Sequence, residues 1–130
     1  MKNVVFTDKA PKPVGPYSQA VCVSGWLYIS GQIPLDPATG NVIEGDFRAQ
    51  AVRVLENLKA IVEAAGGSLD NVVKVTVYLR DMSRFAEFNE IYSRYFPVSP
   101  PARSVVGVAH LPRGVELEID AIAYVEQCKT

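Results

Sequence analysis

Apolar positions along the chain change period several times, and each change marks an element. From Asp46, the residues Phe47, Ala51, Val54, Leu55, Leu58, Ile61, Val62 and Ala65 recur at helical spacing, with Arg48, Arg53, Glu56, Lys59 and Glu63 on the other side. Asp46 is suited to cap that helix, and Gly66-Gly67 to stop it. The period then drops to two. In "NVVKVTVYLRD", Val73, Val75, Val77 and Leu79 are expected to face one way, and Lys74, Thr76, Tyr78 and Arg80 the other. A second helix is expected from about Ser83 to Tyr95, with Phe85, Phe88, Tyr92, Tyr95 and Phe96 as its apolar stripe. Ahead of the helices lie a short strand at 3–6 and two strands, "YSQAVCVSG" and "WLYISGQI", joined at Ser24-Gly25. "PLDPATGN" has the chemistry of a loop. Strands at 103–110 and 115–125 close the chain. The order β-β-β-α-β-α-β-β, without repeat or linker, predicts one α+β domain over 1–130, its two helices on one face of the sheet.

The last strand sharpens this picture. Its odd positions from 115 to 125 are all apolar, while the even ones hold Glu116, Glu118, Asp120, Ile122 and Tyr124. The face away from the helices also carries Val106 and Val108, too apolar for a sheet face in water. A second copy of the chain is the expected cover, in a closed homo-oligomer. A loop or the N-terminal segment is the alternative.

Charge narrows the partners. Thirteen Lys and Arg against fourteen Asp and Glu give a formal net charge of −1, which argues against a general nucleic-acid or membrane binder. Cys22 and Cys128 are far apart and lack metal-ligand spacing, so they read as an unpaired strand residue and an unpaired tail residue. The N-terminus has no apolar run of signal-peptide length, and nothing approaches a membrane span. The cytosol is the expected compartment.

No Gly-rich phosphate loop, close cysteine pair or histidine pair is present, and the single histidine is His110. Chemistry must therefore run on carboxylate, guanidinium, hydroxyl and backbone groups. Arg103 follows Pro100-Pro101 at the threshold of an apolar strand. Its planar fork matches a substrate carboxylate, or equally an acidic neighbour. Glu118 lies on the face opposite the helix-packed residues, where a covering subunit would partly desolvate it. Glu116 and Asp120 share its parity, and the pattern does not choose among the three. Tyr17 follows a proline-fixed bend and by itself reads as a packing tyrosine. Ser30 and Gly31 end a strand where a ligand could approach the backbone, or where an ordinary bulge lies. Phe85 heads the second helix, with core packing as its default role.

Four segments together are similar to a known family: "VGPYSQA", "YISGQIPLDPATG", "NLKAIVEAAGGSLDNVVKVTVYLRDMSRFAEFNEIY" and "PPARSVVGVAHLPRGVELEIDAIA". In order and nearly without gaps, they resemble the RidA subgroup of the YjgF/RidA reactive-intermediate deaminases. The resemblance implies a chorismate-mutase-like α+β fold and a homotrimer, with the sheets as a central barrel, helices outside and ligand clefts between subunits. It implies hydrolysis of 2-imino acids and their enamine tautomers, such as 2-iminobutanoate and 2-iminopropanoate, to 2-keto acids and ammonia. Pyridoxal-phosphate dehydratases for serine and threonine release such compounds. No metal or other cofactor is implied. Arg103 matches the family's carboxylate-binding arginine and Glu118 its water-positioning acid. Tyr17, Ser30 and Gly31 match cleft-lining residues, and Phe85 an aromatic contact to the ligand. Val105 stands where many members carry Cys, which leaves a backbone N–H contact there but no thiol.

Three other functions compete with this expectation. The clefts could sense small carboxylates without turning them over. Relatives have been described as translation-inhibiting ribonucleases, a role that the absence of a basic stripe does not support. Holdase-like binding of unfolded chains has no sequence feature for or against it.

Overall fold

The computed structural model describes residues 1–129. Strands β1 (Asn3–Val5), β2 (Ala20–Val23), β3 (Trp26–Gln32), β4 (Val72–Leu79), β5 (Ala102–Gly107) and β6 (Leu117–Tyr124) form one six-stranded sheet, ordered β1-β2-β3-β6-β4-β5. Helices α1 (Phe47–Ala64) and α2 (Phe85–Tyr95) pack on one face, so the α+β order read from the pattern is the one observed. The tight β2–β3 turn places Ser24 at φ 51 and Gly25 at φ 86, the paired left-handed conformation that matches strand twist in a two-residue hairpin. The β4–β5 pairing is parallel, with α2 in the crossover, and the other pairings are antiparallel.

The helical stripe of α1 is buried throughout, and Asp46 accepts a hydrogen bond from the Ala49 N–H at 3.0 Å as N-cap. Beneath it, Leu27, Ile29, Val75, Val77, Leu79, Leu117, Ile119, Ala121 and Ala123 line the inner face of the sheet. At roughly 1.5–3 kcal/mol per fully buried aliphatic side chain, these two layers are the main source of stability. Period-two counting fails at one residue. The β4–β6 register shifts between Val72 and Lys74, so Val72 is buried and Val73 is turned outward, 42% exposed. A bulge adds one residue to a strand and reverses the parity on one side of it.

Other boundaries also move. The chain at Tyr17–Gln19 stays outside the sheet, and a 3₁₀ turn at Met82–Arg84 precedes α2. Phe88, Ile91 and Tyr92 form the buried face of α2, whereas Phe85 is 36% exposed and is not a core residue.

The expectation of unpaired cysteines is overturned: Cys22 and Cys128 form a disulfide across a sequence separation of 106. The tail after β6 folds back under α1, where the Lys129 N–H donates to the Ala65 carbonyl at 2.8 Å. That path brings Cys128 to the inner face of β2, which distance along the sequence cannot reveal. On the outer face, Trp26, Tyr28, Val106 and Tyr124 are exposed, and Trp26 meets Tyr124 edge-on at 5.0 Å between ring centroids. Among the described residues, no helix is long and apolar enough to cross a membrane.

Candidate active site

A cleft of about 400 Å³ opens at the end of β3, between that strand, β6 and the segment from Pro11 to Tyr17. Its volume lies within the usual range for small-molecule sites. A second irregularity shapes it. Ile29 pairs with Ala121 and Gln32 with Ile119, so Ser30 and Gly31 together face the single residue Asp120. This bulge aims Gly31 at the neighbouring Glu118: a Cβ on residue 31 would collide with the Glu118 carboxyl, so only glycine leaves that carboxyl its place. Ser30 is fixed by its hydroxyl, which donates to the Ser18 carbonyl at 2.6 Å, and by its N–H, which donates to the Gln19 carbonyl at 2.9 Å. The Tyr17 hydroxyl lines the opposite wall and accepts from the Val14 N–H at 3.2 Å.

Glu118 is half-buried among these groups. Burial, and secondarily the charge of Asp120, pushes its carboxyl above the ordinary glutamate value. Its neighbours of the same parity are differently engaged. Glu116 pairs with Arg80 at 3.0 Å, and Asp120 accepts from the Tyr78 hydroxyl at 3.0 Å. The structure thus makes the choice that the pattern left open: Glu118 is the carboxyl that lines the cleft.

Arg103 lies elsewhere. In the parallel ladder it pairs with Val75, so its side chain leaves β5 on the helix face. There its guanidinium stands 4.8 Å from the Tyr92 ring centroid and 5.7 Å from that of Phe85. Such cation–π contacts are worth ~0.5–2 kcal/mol each and hold the planar fork without neutralising it. Among the described residues, no carboxylate lies within ion-pair distance of Arg103. Val105 follows on the same face, opposite Val77, packed against the core. Burial pushes the Tyr92 hydroxyl up to about 12, against the opposing charge of Arg103, and the buried hydroxyl has no hydrogen-bond partner among the described residues.

The expected site residues therefore fall into two groups. Tyr17, Ser30, Gly31 and Glu118 share the cleft, while Phe85, Arg103 and Val105 share a shelf under α2. β4 stands between β5 and β6, and Arg103 and Glu118 leave the sheet on opposite faces, outside a common pocket among the described residues.

Sequence reasoning missed three polar residues that build these groups. Gln19 is buried and ties down the cleft wall, accepting from the Thr7 N–H and donating to the carbonyls of Thr7, Ala10 and Pro11. Asn57 is buried and donates to the Ile33 and Leu35 carbonyls, fixing the residues that floor the cleft. Its signal was present: an amide on the apolar stripe, between Val54 and Ile61. Asn89 lies between Phe85 and Tyr92 on α2 and has a buried Oδ1 without a partner among the described residues.

Comparison with known proteins bears on the family and the fold. Residues 7–125 match the model of the family described as Endoribonuclease L-PSP. A RutC family protein of Pyrococcus horikoshii is 58% identical over 126 residues, covering 97% of this chain and 100% of its own. The mouse protein named 2-iminobutanoate/2-iminopropanoate deaminase is 50% identical over 123 residues, covering 95% of this chain and 91% of its own. The crystal structure of RidA from an Antarctic Psychrobacter superposes with a TM-score of 0.91 at 52% identity, covering 95% of this chain and 99% of that one.

Proposed function

Because the chain belongs to the Endoribonuclease L-PSP family, that of the RutC and RidA proteins, we propose that it hydrolyses 2-imino acids and their enamine tautomers to 2-keto acids and ammonia. Substrates of the size of 2-iminobutanoate and 2-iminopropanoate fit the reading, and the mouse relative carries that activity in its name. The observation that carries the proposal is the Glu118 carboxyl, half-buried in a cleft against Gly31 with its proton affinity raised.

An imino acid already has an electrophilic carbon, so the chain need only hold the carboxylate, place a water and move protons. Arg103 holds the carboxylate through two parallel hydrogen bonds from its fork. Glu118 takes a proton from water as the oxygen bonds to the imine carbon. The resulting carbinolamine receives that proton on nitrogen. The carbinolamine hydroxyl then gives up its own proton, which Glu118 passes to the nitrogen; the C–N bond breaks as the C=O forms, and ammonia leaves. The Tyr17 hydroxyl, Ser30, and the backbone near Gly31 and Val105 complete the frame, with Phe85 against the substrate. Positioned acid–base transfer contributes roughly 10²–10⁴-fold.

The two groups of residues meet only between copies in this scheme. The exposed outer face with Trp26, Tyr28, Val106 and Tyr124 is the surface a homotrimer would close. The proposed compartment is the cytosol. Disulfides are rare in cytosols outside hyperthermophiles, so the Cys22–Cys128 bond fits this compartment only in such a cell.

The test couples a serine or threonine dehydratase to this protein and follows keto-acid release with a free amine present as trap. Wild-type protein should speed release, and Glu118→Gln should not. Equal release with and without the wild-type protein overturns the proposal. Keto-acid binding without acceleration supports the sensor role in its place.

A further inference from the structure

We infer that Asp120, held by Tyr78, is a positioning residue that, added to burial, raises the pH at which Glu118 exchanges its proton. The inference rests on Glu118 as the water-handling acid. Glu118 and Asp120 leave β6 two residues apart on the outer face, as strand alternation requires. Tyr78 stands opposite Glu118 in the β4–β6 ladder, yet its hydroxyl donates to Asp120 Oδ2 at 3.0 Å. A phenol has one proton to donate, so Glu118 receives none from Tyr78. The pair instead holds a carboxylate beside the cleft acid.

The other groups around Glu118 do not duplicate this arrangement. From β4, Arg80 is engaged by Glu116 at 3.0 Å. β3 presents only Ser30, Gly31 and Gln32 to the cleft, none of them charged. Lys12 and Tyr17 belong to the N-terminal wall. Asp120 is thus the carboxylate on Glu118's own face without a cationic partner among the described residues. Its effect adds to that of burial, in the same direction. A base shifted toward neutral pH takes a proton from water more readily and still returns it to nitrogen.

The experiment titrates the intact protein with ¹³C-labelled glutamate carboxyls, using Glu118→Gln to assign the signal. Asp120→Asn should move the Glu118 midpoint to lower pH. Tyr78→Phe leaves the Asp120 charge without its donor and should move the midpoint to higher pH. The acid limb of kcat/KM on an imino acid should follow in the same directions. A midpoint that stays put in the folded variants overturns the inference, as does a rate that falls equally at every pH. Failure of the chain to turn over any imino acid sinks the proposed function alone, because the titration still decides the role of Asp120. Should one variant not fold, the other decides.

Discussion

The cleft at Glu118 and the shelf at Arg103 hold their key groups by opposite means. The cleft is shaped by backbone and hydrogen bonds: a bulge, a glycine, and hydrogen bonds from Ser30 and Gln19 frame a space around one half-buried carboxyl. The shelf is apolar: two aromatic rings on α2 support a cation that meets no anion among the described residues. The cleft sets one carboxyl against an open space of about 400 Å³. The shelf fixes a charge and its plane while leaving its hydrogen-bonding edge open. The sheet lies between them.

The largest effect should come from removing either key group. Glu118→Gln and Arg103→Ala should each lower deamination roughly 10²–10⁴-fold. Unfolding the two variants together and refolding the mixture should restore part of the activity, because some sites then combine an intact cleft with an intact shelf. A mixture as inactive as its components would place both groups of each site on one copy. Gly31→Ala strikes the cleft alone. It should cost on the order of 10²-fold in kcat/KM by displacing the Glu118 carboxyl, with thermal stability little changed.

Smaller effects separate stability from the site. Replacing both Cys22 and Cys128 by Ser should lower unfolding free energy by ~2–4 kcal/mol in denaturant titrations, with kcat/KM retained, since the bond touches neither region. Tyr92→Phe keeps the ring under Arg103 and removes a buried hydroxyl without a partner, so stability should change by about 1 kcal/mol or less, while Tyr92→Leu should raise KM by removing the ring. The smallest effect is linked to pH. The folded state holds the Glu118 pKa above its unfolded value, so between those values the folded chain binds more protons. The contribution of Glu118 to stability is therefore greatest below the ordinary glutamate value and falls as pH rises through the window. Glu118→Gln should flatten that slope in thermal melts.

Much of this was legible beforehand because one face of each element is buried. The strict alternation of β6 placed Leu117, Ile119 and Ala121 inside and Glu118 outside, as observed. The same rule misplaced Val73, because a bulge leaves no trace in hydrophobicity alone. Arg103 and Glu118 drew attention as charges among apolar neighbours. Their separation onto opposite faces depends on how β5 registers against β4, a long-range pairing that local pattern does not encode. Phe85 carried the composition of a core residue, and only its place at the exposed start of α2 shows the ring supporting a cation.

The covalent link between Cys22 and Cys128 closes most of the polypeptide into a ring. A protease that nicks one exposed loop within it, such as the segment around Thr39, produces no fragments: the cut molecule keeps its mass, plus one water, until a reductant separates the pieces. The same closure occupies every cysteine of the chain, so nothing at Val105 or elsewhere offers a thiol to alkylating reagents or to reactive imines while the bond is intact.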